Sequence, residues 1–123
     1  MMKKKILIVE DEESLLKLES ILLTSRGYEV VGAADGVAAL EQVGLTRPDL
    51  VILDIMLPEI DGFEVCRRIK QNPETAHTPV VMLTAKKSEQ DCARGMAAGA
   101  SAYVTKPFKS AKIIEIIQDL LSP

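Results

Sequence analysis

Five short, unbroken apolar runs, each followed by a segment of helical periodicity, limit this chain to very few folds. The runs cover residues 6–9, 30–33, 50–53, 80–83 and 102–104. They are partly β-branched and apolar at successive positions, the pattern of strands covered on both faces. After them come helical stripes: Leu15, Leu18, Ile21 and Leu22; Val37, Leu40 and Val43; Phe63, Cys66 and Ile69; Cys92 and Met96; and Ile113, Ile116, Ile117 and Leu120. Punctuation agrees. Arg26-Gly27 ends the first helix, Asp35-Gly36 opens the second, Asn72-Pro73 closes the third and Gly99 stops the fourth. Five β–α units with helices on both faces of a parallel sheet are the economical solution, an α/β domain over residues 1–123.

Composition removes several classes of function. A net charge of −3 offers no basic excess for phosphate backbones, so no direct nucleic-acid partner is expected. The longest apolar stretch, residues 50–57, is interrupted by Asp54 and is far short of the ~20 residues that span a bilayer, so no membrane insertion is expected. The acids at 10–13 follow the first apolar run too closely for a signal peptide. Cys66 and Cys92 lie far apart and read as two free thiols of a cytoplasmic protein.

In an open parallel sheet, ligands bind beyond the carboxyl ends of the strands. The first strand ends in Val9-Glu10-Asp11, the third in Leu53-Asp54, the fourth in Leu83-Thr84-Ala85 and the fifth in Val104-Thr105-Lys106-Pro107. Three acids, a hydroxyl and a lysine therefore converge on one edge, while the second strand ends in small residues. Carboxylates about 5 Å apart repel by roughly 3 kcal/mol per pair at an effective dielectric near 20. One divalent cation together with Lys106 balances the three in formal charge, and hard oxygen ligands beside a phosphate suit Mg²⁺.

A carboxylate can act as nucleophile and form an acyl phosphate. Phosphoryl transfer depends mostly on positioning and charge stabilisation, which a metal, a lysine and a hydroxyl supply. Asp54 is the best nucleophile because it ends the most apolar strand, and the adjacent Glu10 and Asp11 suit the metal. Thr84 is placed to hydrogen-bond a phosphoryl oxygen and Lys106 to pair with it. Glu10 and Asp11 could also cap the first helix. His77, the sole histidine, lies in a polar loop and is expected to be exposed and idle.

Residues 5–12 (KILIVEDE), 49–58 (DLVILDIMLP) and 103–108 (YVTKPF) resemble the signature segments of bacterial two-component response-regulator receiver domains. Residues 58–63 (PEIDGF), 79–85 (PVVMLTA) and Gly99-Ala100 are similar as well, so the resemblance covers essentially the whole chain. It implies a flavodoxin-like, doubly wound sheet of order 2-1-3-4-5. It also implies that Asp54 is phosphorylated from a phosphohistidine, with Mg²⁺ held by Asp11, Asp54 and the carbonyl of Met56, and by Glu10 through water. Thr84, with Ala85 beside it, and Tyr103 would form the switch, Lys106 would bind the phosphate, and the Lys106–Pro107 bond would be cis.

The implied partners are a sensor histidine kinase or histidine phosphotransfer protein and a downstream effector protein. The expected output surface is the face of the fourth helix, fifth strand and fifth helix. The chain ends at Ser122-Pro123 just after the fifth helix, so no output domain is expected; an excised receiver of a longer regulator is the alternative. A phosphohydrolase of the haloacid-dehalogenase type would want an acid where Met56 stands, and a dinucleotide enzyme a GxGxxG after the first strand. A degenerate receiver serving only as a docking module is the more serious rival, and the full set of acids, threonine and lysine argues against it.

Overall fold

The computed structural model describes residues 3–122; Met1, Met2 and Pro123, which fall within the expected domain span, lie outside the described residues. Five strands and five helices alternate: β1 (Lys5–Val9), α1 (Glu13–Ser25), β2 (Glu29–Ala33), α2 (Gly36–Thr46), β3 (Leu50–Leu53), α3 (Gly62–Gln71), β4 (Val80–Thr84), α4 (Glu89–Ala97), β5 (Ala102–Thr105) and α5 (Ser110–Leu121). All neighbouring strands pair in parallel, in the order β2-β1-β3-β4-β5. This is the flavodoxin-like α/β arrangement expected from the sequence.

The unbroken apolar runs have a direct cause. Successive strand residues point to opposite faces of a sheet, and both faces here are covered. Ile6, Ile8, Leu50, Ile52, Val81 and Leu83 pack against Leu23 of α1 and Ile113, Ile114 and Ile117 of α5. On the other face, Leu7, Val9, Val51, Leu53 and Met82 meet Ala39 and Val43 of α2 and Phe63, Cys66 and Ile69 of α3.

Helix starts follow the chemistry of short polar side chains. Asp35 accepts from the Ala38 N–H at 2.7 Å, Asp61 from the Glu64 N–H at 3.0 Å and Ser88 from the Asp91 N–H at 3.0 Å. Glu10 and Asp11 do not cap α1. Its N-cap residue is Glu12, which makes no side-chain capping bond, because the chain runs one residue further before turning helical.

Three helices are rotated from the faces that periodicity suggests. In α2 the buried residues are Gly36, Ala39 and Val43, while Val37 stays 51% exposed, because the small Ala39 fits closer to the sheet. In α1 the buried residues are Glu19 and Leu23, while Leu18 and Ile21 stay 64% and 58% exposed. With Leu15, Leu16, Leu18, Ile21, Leu22 and Leu23 crowded together, two overlapping stripes compete, and the period alone cannot choose between them. Gly32 of β2 helps to choose: a Cβ there would stand 3.2 Å from a methyl of Leu16, so the missing side chain leaves the slot that Leu16 enters. In α4 the buried residue is Gly95, not Met96, which is exposed. A Cβ on Gly95 would stand 2.8 Å from the sulfur of Met82 and 2.9 Å from the Tyr103 ring, so only glycine lets the helix approach so closely.

Candidate functional site

The sheet register sets the site. Val9 pairs with Leu53 across β1 and β3, so the residues that follow, Glu10 and Asp54, leave the sheet side by side. The Asp54 N–H donates to the Val9 carbonyl at 3.1 Å and the Glu10 N–H to the Ala33 carbonyl at 3.0 Å, which carries the ladder one residue past the strands. Oxygens of Glu10, Asp11 and Asp54 all lie within 4.8 Å of one another. Glu10 and Asp54 are buried and Asp11 is exposed at the mouth.

Both oxygens of Asp54 are held. Oδ1 accepts from the Met56 N–H at 3.0 Å and Oδ2 from the Lys106 ammonium at 3.1 Å. The same ammonium donates to Glu10 Oε1 at 2.8 Å, and Glu10 Oε2 accepts from the Glu12 N–H at 3.2 Å. Burial alone would lower the pKa of Lys106, but its bonds to Glu10 and Asp54 outweigh that and hold it above the ordinary lysine value. Lys106 therefore stays a cation. One lysine against three carboxylates still leaves formal negative charge for a hard cation to offset.

Lys106 is aimed by backbone on either side. Its N–H donates to the Thr84 carbonyl at 2.8 Å, and the Lys106–Pro107 peptide is cis. Thr84 is fully buried at the end of β4, where its hydroxyl oxygen accepts from the Lys86 N–H at 3.3 Å. Ala85 follows it, exposed beside the pocket. The Tyr103 hydroxyl donates to the Lys86 carbonyl at 2.8 Å, which ties β5 to the β4–α4 turn. His77 is exposed. Cys66 is buried, which pushes its thiol up to about 11, and it takes no part in the pocket.

Three features escaped the sequence reading. The direct Glu10–Lys106 pair is one, because adjacency along the chain says nothing of which acid a lysine 96 residues away will reach. Gly62 is the second: a Cβ there would lie 2.4 Å from the Asp54 carbonyl oxygen. The third is Glu19, buried under α1 with Oε2 unpartnered. Burial, then the neighbouring Glu10 carboxylate, raises its pKa from 4.5 to about 7. An acid at the centre of the Leu16–Leu23 stripe was the available signal.

The fold and this pocket define a doubly wound α/β protein with an acidic cluster at the strand ends, bridged by one lysine. The chain belongs to the response regulator receiver domain family, whose model matches residues 6–118. It is 42% identical over 120 residues to the alkaline phosphatase synthesis transcriptional regulatory protein PhoP of Bacillus subtilis, covering 98% of this chain and 49% of that protein. It is 40% identical over 119 residues to the response regulator PleD of Caulobacter vibrioides, covering 97% of this chain and 26% of that protein. The chain thus spans about half or less of the length of these relatives. Among solved structures, the chemotaxis protein CheY4 of Vibrio cholerae superposes with a TM-score of 0.92 at 33% identity, over 98% of this chain and 100% of that one. The signal receiver domain of a signal transduction histidine kinase from Syntrophus aciditrophicus gives 0.91 at 35%, over 97% and 90%.

Membership places the chain in two-component signalling, as a regulator by family, with a histidine kinase as the implied partner. The Glu10, Asp11 and Asp54 cluster is consistent with the Mg²⁺ site of such domains. No helix among the described residues is long and apolar enough to cross a membrane.

Proposed function

We propose that Asp54 is the phosphoacceptor, taking a phosphoryl group from the phosphohistidine of a sensor kinase or histidine phosphotransfer protein. One observation carries this reading: a buried carboxylate at the end of the central β3, held at both oxygens by the Met56 N–H and Lys106 beside two further acids. In the transfer, a carboxylate oxygen of Asp54 forms the new bond to phosphorus as the phosphorus–nitrogen bond to the donor imidazole breaks.

Asp11, Asp54 and the Met56 carbonyl would hold Mg²⁺, with Glu10 assisting, and the ion would supply positive charge against the phosphoryl oxygens. Lys106 exchanges one carboxylate partner for a phosphoryl oxygen. Thr84 leaves the Lys86 N–H to donate its own proton to the phosphoryl group. That exchange loosens the β4–α4 turn to which Tyr103 is bonded and remodels the α4–β5–α5 face, where Lys86, Lys87, Glu89, Tyr103 and Lys109 meet an effector protein. The donor must reach Asp54 from the strand-end side. An exposed apolar groove between α1 and the β5–α5 turn borders that side through Lys106, and we assign the donor's docking to it.

The test is incubation with acetyl phosphate and Mg²⁺ followed by intact mass. Wild type should gain one phosphoryl group, while Asp54→Asn or an excess of EDTA should prevent the gain. A phosphoryl mass that persists in Asp54→Asn with the same Mg²⁺ dependence would move the acceptor to another residue.

A further inference from the structure

One buried carboxylate beside the strand-end pocket has no partner. Glu19 of α1 is only 5% exposed, and its buried Oε2 makes no hydrogen bond among the described residues. A buried acceptor without a donor is costly. The charges that act on it are those of the pocket: Glu10 just past β1 and Asp54 just past β3 oppose its ionisation, and Lys106 just past β5 favours it. Glu19 and Lys106 also line one cavity of about 750 Å³ between α1 and the β5–α5 turn, so open space adjoins both side chains. An ammonium carries three donors, and the pocket occupies two of them, on Glu10 Oε1 at 2.8 Å and Asp54 Oδ2 at 3.1 Å.

We propose that Glu19 is a positioning residue for Lys106, the acceptor to which its ammonium turns when a divalent cation occupies the acids of the pocket. The inference deepens the phosphoacceptor reading and rests on the Mg²⁺ site which that reading assigns to Asp11, Asp54 and the Met56 carbonyl. A dication there and an ammonium bonded to the same Asp54 carboxylate repel each other, and more strongly in a part-buried pocket than in water. Lys106 keeps Glu10 and exchanges Asp54 for Glu19. The ammonium thus stays paired, the orphaned oxygen gains a donor, and Asp54 Oδ2 is released. Glu19 does not share the metal itself, since the carboxylates whose oxygens lie within 4.8 Å of one another are those of Glu10, Asp11 and Asp54. Its charge serves the lysine.

Calorimetric titration of the metal-free full chain with Mg²⁺ at neutral pH tests it. Glu19→Gln, which keeps the shape and loses the charge, should bind Mg²⁺ about ten-fold more weakly than wild type, the size of one charge-assisted hydrogen bond. Glu19→Asp keeps the charge but draws the carboxylate back by one methylene, and should lose about as much. In a Lys106→Met background, Glu19→Gln should change the affinity by about two-fold or less, because no ammonium remains to be received. Unchanged affinity in Glu19→Gln, wild-type affinity in Glu19→Asp, or a loss that persists in full without the lysine overturns the inference, as does a wild type that binds no Mg²⁺. Should Lys106→Met fail to fold, the Glu19→Asp result decides by itself. The acetyl phosphate experiment reads the other claim separately: phosphoryl uptake by wild type upholds the phosphoacceptor reading even where the affinities overturn the role of Glu19.

Discussion

Gly62→Ala should destabilise this domain by about 3 kcal/mol, as overpacking against rigid neighbours does. Gly62 opens α3 immediately after the Asp61 cap, and its N–H donates to the Ile55 carbonyl at 2.9 Å. The β3–α3 loop is therefore folded tightly back onto the residue that follows Asp54. A Cβ at 62 would stand 2.4 Å from the Asp54 carbonyl oxygen, 2.6 Å from the Ile55 Cα and 3.0 Å from the Asp54 carbonyl carbon. All three are backbone atoms, so no rotamer change relieves the contact, and either α3 or the end of β3 must shift. Thermal unfolding should begin roughly 10 °C lower than in wild type, and uptake from acetyl phosphate should slow, because Asp54 is the residue displaced.

Gly44→Ala is the built-in control. Gly44 is exposed within α2, with nothing within 4 Å of the added methyl, so the change should raise stability by about 0.5–1 kcal/mol through helix propensity. A Gly62→Ala variant that melts with wild type, while Gly44→Ala behaves as expected, would show that the loop yields without cost.

The contrast between these glycines also shows what a sequence can carry. The strands were legible because β1, β3 and β4 are buried on both faces, so every residue between the first of β1 and the last of β4 in these strands is apolar. Glu10, Asp54, Thr84 and Lys106 were legible for the opposite reason: each breaks or ends such a run, and the topology carries all four to one edge. Helix rotation was not legible in α1, where apolar residues populate more than one stripe. What fixes it includes Gly32, a residue on a different strand. The Glu10–Lys106 bond and the pressure of Gly62 on Asp54 are contacts between segments far apart or folded back through a loop, and no local period encodes them. Exposed leucines such as Leu18 imitate a core stripe, and the buried acid in their midst was hidden by that imitation.

That buried acid has the second large consequence. Glu19→Leu should stabilise the protein near neutral pH, and the gain should vanish in mild acid. The folded pKa of Glu19 is raised from 4.5 to about 7, by burial first and by the Glu10 carboxylate second. Between those values the folded state keeps a proton that the unfolded chain has released. Stability must therefore fall as pH rises through the window, fully present below 4.5 and lost by the time pH passes 7. The whole effect is on the order of 2 kcal/mol after allowance for water reaching the groove. The raised pKa of Lys106 acts only well above this range, and the lowered pKa of Glu64 only below it, so neither obscures the slope.

Urea unfolding of wild type and Glu19→Leu, in EDTA from pH 5 to pH 8, reads the difference directly. The curves should meet at the acid end and separate by about 2 kcal/mol at the alkaline end. Parallel curves would mean that Oε2 is well solvated in the folded state and costs nothing to ionise. A widening gap would mean that the protein keeps an acid which weakens it at neutral pH. A leucine at position 19 would remove that cost, and with it a carboxylate whose charge acts on Glu10, Lys106 and Asp54 at the strand-end pocket.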